Sequence, residues 1–231
     1  MAITKTQSAT GNGATIALTS VASGSCLTLQ SSYYRGTSTG AAETVPTDTQ
    51  GTWSAAQNGV PGIGSGSDAG SGIFYQANVA SGTHTVTPQA NTVHNSTLAE
   101  WAGIATSTPF DVGANAKTNA STFTSQVTGT TATTAQADEL VLIALSLGAA
   151  VGVSNVGFTN PVSGFTSLHV NPNDSTSIAT FHAYKVVAAT GTQAATFNWT
   201  DGEANQYAGA NIATFKAAAA GGDTLMGMAC L

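Results

Sequence analysis

Histidines are the first side chains of this sequence to consider for chemistry, because they serve as metal ligands and as acids or bases near neutral pH. The chain has four of them, His84, His94, His169 and His182. It contains neither a His-x-x-x-His nor a Cys-x-x-Cys spacing, so the common zinc-binding patterns are missing. We therefore expect ordinary hydrogen-bonded or exposed histidines, no metal site and no cofactor.

Carboxylates offer a second route to chemistry, and eleven are present. Glycosidases need two that converge in a cleft, and Asp201 and Glu203 flank Gly202 in a predicted hairpin loop. Residues 171–174 and 201–203 offer oxygens suited to calcium, but neither segment has the EF-hand pattern, and ordinary Asx turns are favoured. A Gly-x-Ser-x-Gly nucleophile elbow and a phosphate-binding loop are also missing. The sequence therefore predicts that the protein is not an enzyme.

Aromatic side chains raise the possibility of a binding platform rather than a reaction centre. Trp53, Trp101 and Trp199, together with five tyrosines, could stack on sugar rings if they were exposed. Alternation along the predicted strands places most of them on inward-facing positions. Core positions are therefore favoured, and glycan stacking on the three tryptophans stays open as the alternative.

The composition indicates a folded protein with an unusually neutral surface. Only 7% of the residues are charged, against roughly 25% in an ordinary soluble protein, while 42% are apolar and can form a core. The net charge is −6, and the five basic residues are scattered, so nucleic-acid binding is not expected. A surface of Thr, Ser, Asn and Gln suits a protein that works in assemblies or binds neutral polar ligands such as glycans.

Targeting signals are not apparent in the sequence. The longest apolar run, residues 140–147, is far shorter than the roughly 20 residues of a membrane span, so no membrane partner is expected. The N-terminus lacks the apolar region of a signal peptide, which favours synthesis in the cytoplasm. Cys26 and Cys230 are accordingly interpreted as a buried thiol and a tail thiol rather than a disulfide.

The elements that must position these residues are β-strands. Residues 73–87 are an apolar run, a Ser-Gly turn and an alternating Thr/His/Thr/Val/Thr run, which predicts a hairpin. Residues 184–197 repeat this pattern 109 positions later, with Tyr75 matching Tyr184. Residues 140–147 predict a central strand buried on both faces. The glycine-rich residues 56–72 predict an exposed loop or a clamp on a neighbouring subunit.

Two further matches, both at a separation of 114, indicate an internal repeat: residues 25–29 with 139–143, and 98–101 with 212–215. We therefore predict an all-β fold, a jelly-roll-like antiparallel sandwich of two sheets with two similar halves. The halves span about residues 10–112 and 113–216, within a single domain of residues 1–216. A tandem of two sandwiches is the less favoured alternative. Residues 217–231 form a C-terminal tail.

A family resemblance is carried by five short segments that follow one another in the chain. They are Asp48–Trp53, Tyr75–Val86, Glu100–Ile104, Pro109–Asp111 and Thr134–Leu140. Together they resemble a β-sandwich module of bacteriophage virion proteins and some bacterial surface proteins, over most of residues 10–216. The resemblance implies a fold and a structural or adhesive context, without catalytic residues. The neutral surface departs from the family, whose members usually carry more Asp, Arg and Lys.

These observations predict a structural protein of a virus particle, a phage capsid decoration or head-fibre protein located in the virion. Its expected partners are copies of itself and other virion proteins, with host surface glycans as a further possibility. The alternative is a carbohydrate-binding or adhesive β-sandwich module. The tail is predicted to dock on a neighbouring subunit or on the particle, because it carries apolar side chains beyond the last strand: Leu225, Met226, Met228 and Leu231.

Overall fold

The computed structural model describes residues 1–13, 15–37, 39–59, 61–63, 67–88, 93–119, 123–149, 157–159, 162, 164–172, 178–200 and 206–219. Within these residues the chain forms sixteen strands and no helix, so the all-β prediction is confirmed. In chain order the strands are β1 Thr4–Gly11, β2 Ile16–Val21, β3 Cys26–Arg35, β4 Thr47–Asp48, β5 Ser54–Asn58, β6 Gly62–Ile63, β7 Asp68–Gln76, β8 Gly82–Thr87, β9 Val93–Ala102, β10 Phe110–Asn119, β11 Ser125–Val127, β12 Glu139–Ala149, β13 Thr166–Asn171, β14 Ile178–Val187, β15 Thr196–Asn198 and β16 Gln206–Lys216.

The strands are arranged in antiparallel sheets of two sizes. Sheet 1 has the order β1-β9-β3-β7-β5, with the short β6 also paired to β7, and sheet 2 has the order β10-β16-β12-β14-β13. Sheet 3 is β2-β8-β4 and sheet 4 is β11-β15. The sequence predicts two sheets, whereas the described residues form four.

Strand pairing is nested in both parts of the chain. β1 pairs with β9, β2 with β8 and β3 with β7. Further along, β10 pairs with β16, β11 with β15 and β12 with β14. Each set is therefore an antiparallel ribbon that folds back on itself, and its strand pairs are divided between one large and one small sheet.

Residues that match in the sequence occupy matching register positions. These cross-strand pairs are Cys26 with Trp101 and Leu140 with Phe215, then Thr28 with Tyr75 and Leu142 with Tyr184. β3 and β12 are the middle strands of their sheets, with a neighbour on each side. Residues 140–147 are buried throughout, as the continuous apolar run predicts.

The predicted hairpin at residues 73–87 is wrong. β7 pairs with β3 and β5 in sheet 1, whereas β8 pairs with β2 and β4 in sheet 3. The Ser81–Gly82 turn therefore carries the chain from one sheet to another. The same is true of β14 and β15, which belong to sheets 2 and 4. A turn signal in a sequence marks a change of direction, but it does not identify the sheet that the next strand joins.

Residues 56–72 are also different from the predicted exposed loop. Their described part contains β5, β6 and the start of β7, and most of it is buried. A Cβ atom added at Gly62 would lie 2.5 Å from the carbonyl oxygen of Ala208 in sheet 2. Glycine is therefore needed here for close contact between two sheets of the same chain, rather than for a clamp on a neighbouring subunit.

Three apolar clusters hold the sheets together. The central cluster joins the facing sides of sheets 1 and 2 and includes Cys26, Ile73, Trp101, Leu142 and Phe215. One outer cluster lies between sheets 1 and 3 and contains Leu27, Leu29, Phe74 and Val86, among others. The other packs Phe197 of sheet 4 and Trp199 against the outer face of sheet 2. Each fully buried large side chain contributes about 1.5–3 kcal/mol of hydrophobic stabilisation.

Candidate functional site

Charged side chains are mostly withdrawn from the surface. Of those in the described residues, five are buried, namely Arg35, Glu43, Asp68, Glu100 and Glu139. Four more are half-buried: Asp48, Asp111, Lys185 and Lys216. Only Lys5, Lys117 and Asp138 are exposed. The described surface is therefore even more neutral than the composition suggests, and the ionisable groups with unusual surroundings lie inside the fold.

Glu100, on β9, is held by three donors on the outer face of sheet 1. One carboxylate oxygen accepts from the backbone N–H of Ala22 at 2.8 Å and from the Ser25 hydroxyl at 2.7 Å. The other accepts from the Gln7 side-chain amide at 2.7 Å. Burial alone would raise the pKa of Glu100, but these hydrogen bonds outweigh it and lower the pKa. We call Glu100, Gln7, Ala22 and Ser25, with Thr6 beside them, the Glu100 niche. Its hydrogen bonds join β9 to β1 and to the turn before β3.

The corresponding place in sheet 2 also holds a glutamate, but it comes from the neighbouring strand. Thr214 lies opposite Val141, as Glu100 lies opposite Leu27. Glu139, two residues before Val141 on β12, therefore has the position that Ser25 has in sheet 1. In sheet 1 the carboxylate of Glu100 is on β9 and the hydroxyl of Ser25 directly precedes β3. In sheet 2 the carboxylate of Glu139 is on β12 and the hydroxyl of Thr214 is on β16.

The edge strands beside these two glutamates carry the same irregularity. The register of β1 shifts between Lys5 and Gln7, and that of β10 shifts between Phe110 and Gly113. Counting along the two strands aligns Thr6 with Asp111 and Gln7 with Val112. Sheet 2 therefore has an acid and an apolar residue where sheet 1 has a hydroxyl and an amide donor.

This difference is accompanied by an opposite shift in the pKa of the second glutamate. Burial raises the pKa of Glu139 to about 7. The nearby Asp111 carboxyl adds to the rise, against the Thr214 hydroxyl and the Gln136 N–H, which favour the charged form. We call Asp111, Val112, Gln136, Glu139 and Thr214 the Glu139 niche.

A buried histidine lies between the facing sides of sheets 1 and 2. The Nδ1 atom of His182 is 2.9 Å from the Thr97 hydroxyl, and its Nε2 atom is 2.9 Å from the Ser32 hydroxyl. Ser32 donates its own proton to the Leu145 carbonyl at 2.8 Å, so Nε2 is the donor to Ser32 and Nδ1 accepts from Thr97. Burial, with a smaller contribution from His169, holds the pKa of His182 well below its usual value. A neutral ring therefore satisfies this network completely.

Other side chains at the same interface reach across to backbone carbonyls of the opposite sheet. Gln30 donates to the Ile143 carbonyl at 2.7 Å, and Ser146 donates to the Tyr33 carbonyl at 2.9 Å. Ser71 lies 3.1 Å from the carbonyls of Ala144 and Gly209. Such contacts need sheets that approach closely, and they add polar contacts between the two sheets to those of the central apolar cluster.

A buried serine, histidine and glutamate also meet on sheet 1, but not in a catalytic order. Glu43 accepts from Ser31 at 2.8 Å, and its oxygen lies 3.2 Å from Nε2 of His94. In a nucleophilic triad the histidine stands between the nucleophile and the acid, whereas here the acid stands between the other two. All three residues are buried. The arrangement is therefore a structural polar cluster rather than an activated serine.

The buried His84 pairs with the half-buried Asp48. Their closest atoms, Nδ1 and Oδ2, are 2.7 Å apart, and Nε2 of His84 is 3.0 Å from the Ala80 carbonyl. These two contacts join β8 to β4 and to the preceding turn. Across the described ranges, no group of three or more His, Cys, Asp or Glu side chains is suited to hold a metal ion.

The three tryptophans proposed from the sequence for glycan stacking are buried. Trp53 is 4% exposed, Trp101 is 0% exposed and Trp199 is 3% exposed. Trp101 donates from its ring nitrogen to the Thr28 hydroxyl at 2.7 Å, and the other two belong to the outer apolar clusters. None of these rings presents a face to a sugar, because each is packed between sheets. The core interpretation of the three tryptophans holds, and a stacking platform would need other residues.

Several residues singled out in the sequence lie outside the described residues. They are Leu225, Met226, Met228 and Leu231 of the tail, together with Asp174, Asp201, Glu203 and Cys230. The chain enters the tail beside its N-terminus, because Ala218 donates to the Gly103 carbonyl and its own carbonyl lies 3.4 Å from the Met1 amine. Cys26 is buried and free of a disulfide, and burial raises its pKa to about 12.

A shallow depression lies next to the point where the tail begins. Its volume is about 350 Å³, and it is lined by Met1, Ala2, Ile3, Asp138 and Val186. Met1 and Val186 are 73% and 45% exposed, respectively. This place therefore combines apolar exposure with the start of an apolar tail.

Comparison of the chain with protein-family models, with curated proteins and with solved structures returns no match. A search of the described residues for helices long and apolar enough to cross a membrane finds none. The functional interpretation therefore depends on the residues and their geometry.

Sequence reasoning missed the two glutamate niches and the histidine between the sheets. A signal for the niches was nevertheless present in the alignment of residues 25–29 with 139–143 and of 98–101 with 212–215. That alignment sets Ser25 against Glu139 and Glu100 against Thr214. An acid and a hydroxyl that change places together suggest that they touch. For His182 no sequence signal existed, because its partners come from strands of the other sheet.

Proposed function

We propose that this chain is a structural protein of a virus particle, of the decoration or head-fibre kind, that attaches to the surface of a phage capsid. The observation that carries the proposal is the neutral surface of the described residues, an all-β framework on which only Lys5, Lys117 and Asp138 expose charged side chains. A surface with so few exposed charges has little electrostatic repulsion to overcome when copies pack side by side. The family resemblance of the sequence supports the same context.

We also propose that the framework consists of two similar jelly-roll-like halves. The support is the equal strand order of sheets 1 and 2, the nested pairing in each part, and the matching register shifts in β1 and β10. A jelly roll is a ribbon of antiparallel strand pairs wrapped into two sheets, and the nested pairing in each part supports this proposal. The shared central cluster favours one continuous domain over two independent ones.

The proposal is tested by asking whether the purified chain assembles and binds particles. Light scattering after size-exclusion chromatography should show self-association, and electron microscopy should show the protein on phage heads. Because neutral surfaces make the contacts, association should change less than twofold between 50 and 500 mM salt, whereas contacts between charged surfaces weaken strongly with salt. A protein that stays monomeric and does not bind particles would contradict the proposal.

A matched variant tests the role of the tail. Removing residues 221–231 should leave the melting temperature unchanged and weaken assembly, because the tail follows the last strand and carries the apolar side chains named above. A matched variant of full length replaces the four apolar residues of the tail by serine: Leu225, Met226, Met228 and Leu231. Full assembly by both variants would show that the tail is not the contact.

The alternative is a carbohydrate-binding or adhesive module, and the hydroxyl- and amide-rich surface is compatible with it. Glycan arrays followed by calorimetry separate the two functions. Saturable glycan binding by a chain that stays monomeric and does not attach to particles would favour the alternative.

A further inference from the structure

The Glu139 niche holds a carboxylate that the protein itself does not neutralise. Glu139 is 0% exposed, and no well-aligned hydrogen bond from the described residues reaches its carboxylate oxygens; only the Thr214 hydroxyl and the Gln136 N–H lie near enough to favour its charged form. The Asp111 carboxyl lies beside it, half-buried, and accepts from the Ala135 N–H at 2.6 Å. A buried and a half-buried carboxyl group that share so few donors are unfavourable in their charged form unless a proton or a cation compensates their charge.

Comparison with the Glu100 niche shows which donors the Glu139 niche lacks. In sheet 1, three donors surround a single carboxylate, whereas sheet 2 replaces the Gln7 amide by Val112 and adds a second acid at Asp111. Lys216 lies opposite Glu139 in the strand register, but within the described residues no ion pair joins it to Glu139 or Asp111. No basic side chain there compensates the two carboxyl groups of the Glu139 niche.

We propose that the Glu139 niche binds one calcium ion. The carboxylates of Glu139 and Asp111 and the hydroxyl of Thr214 supply hard oxygen ligands, and Asp111 opens on solvent, from which water completes the shell. Calcium accepts six to eight oxygens in irregular geometry and takes carboxylates in the bidentate mode, whereas magnesium requires a near-ideal octahedron and gives up water reluctantly. A site with two carboxylates and one hydroxyl therefore suits calcium better than magnesium.

Calorimetry on the full chain, stripped with EDTA and titrated with calcium chloride at pH 8, tests the proposal. We expect one site with a Kd of about 0.1–1 mM, the weak end of the range for protein calcium sites, because few charged ligands are present. Glu139→Gln and Asp111→Asn should each weaken binding at least tenfold. Asp138→Asn removes the same charge from the exposed neighbour of Glu139 and should change the Kd less than twofold.

A second variant keeps the test decisive if the charge variants change the fold. Val112→Gln leaves both carboxyl groups in place and brings in the amide that sheet 1 has at Gln7, so it should weaken calcium binding while circular dichroism stays that of the original protein. Absence of saturable binding up to 20 mM calcium would overturn the proposal. Binding that is equally strong in the Glu139→Gln and Asp111→Asn variants would overturn it as well.

Discussion

The Glu100 and Glu139 niches are the same place in two sheets, built with opposite results. In sheet 1 the carboxylate comes from β9 and meets three donors, and its pKa is lowered. In sheet 2 it comes from β12 and meets a second acid, and its pKa is raised to about 7. The backbone register is equivalent at both places, so the neighbouring side chains decide the charge state.

The comparison teaches which features a β-framework preserves and which it leaves free. The register fixes the point where an acid and a hydroxyl meet, but either strand can supply the acid. Hydrogen-bond donors on the edge strand then determine whether the buried acid is stable in its charged form. Gln7 and Thr6 make the first niche a structural tie, whereas Val112 and Asp111 leave the second ready to take up a proton or a cation.

The largest expected effect comes from removing Glu100, the acid that accepts three hydrogen bonds. Glu100→Ala should lower the free energy of unfolding by about 3 kcal/mol, because it leaves the donors of Ala22, Ser25 and Gln7 without their charged acceptor. Urea unfolding followed by tryptophan fluorescence measures this. Glu139→Gln is the matched control and should cost less than about 1 kcal/mol at pH 8, since it removes an unfavourable charge. Equal losses of unfolding free energy in the two variants would contradict the difference between the two niches.

The next-largest effect is a pH dependence of the free energy of unfolding that arises from Glu139 in sheet 2. The folded pKa of Glu139 is raised, so the folded state holds its proton more tightly than the unfolded chain does. The resulting stabilisation is complete below pH 4.5 and is lost as the pH rises through about 7. We expect a loss of about 1–2 kcal/mol in EDTA, less than the full value of 1.36 kcal/mol per pKa unit because Asp111 is half-exposed and water screens the pair.

Unfolding curves from pH 4 to pH 8 for the original protein and for Glu139→Gln measure this dependence. His182 acts in the opposite direction, because its lowered pKa removes stability as the pH falls below 6.5. That contribution is common to both proteins, so their difference isolates Glu139. A difference that does not vary with pH would show that Glu139 is an ordinary carboxylate.

A smaller effect tests whether the two niches are interchangeable. Glu100→Thr combined with Ser25→Glu gives sheet 1 the arrangement of sheet 2, with the acid on the middle strand. The double variant should be about 1 kcal/mol more stable than Glu100→Thr alone, since the donors of Gln7 and Ala22 regain a charged acceptor. Ser25→Gln in the same background controls for size. A double variant less stable than the single one would contradict the register equivalence.

The smallest effect comes from adding the missing donor. Val112→Gln should raise the free energy of unfolding at pH 8 by about 0.5 kcal/mol, in the range of a single hydrogen bond, because its amide faces the charged form of Glu139. Val112→Leu serves as the apolar control and should not stabilise. Thermal unfolding at pH 8 and pH 5 measures the change, which should be larger at pH 8. An equal change at both pH values would place the amide outside the niche.

Much of the local structure was predictable from the sequence, but the pairing of strands was not. The continuous apolar run at residues 140–147 predicts a buried strand, and β12 confirms it. The runs on either side of Ser81–Gly82 are strands as predicted, yet they lie in different sheets. Strand propensity depends on neighbouring residues, whereas partner choice depends on contacts between distant parts of the chain.

The glycine-rich residues 56–72 and the interior histidine show the same limit. Glycine predicts either flexibility or close backbone approach, and only the packing of Gly62 against Ala208 decides between them. His182 is in contact with Thr97 and Ser32, which lie 85 and 150 residues away in the chain. By contrast, the exchange of acid and hydroxyl between Ser25, Glu100, Glu139 and Thr214 was already contained in the internal sequence matches.

The central claim, that two equivalent niches shift the pKa values of their glutamates in opposite directions, is tested most directly by titrating the glutamates themselves. The sequence has only four, Glu43, Glu100, Glu139 and Glu203, so selective carbon-13 labelling of the glutamate carboxyl carbon yields four NMR signals, which Glu→Gln variants assign. In EDTA, the Glu139 signal should titrate near pH 7 and the Glu100 signal below pH 4.5. Titration of both signals together near pH 4.5, or Glu100 above Glu139, would contradict the account.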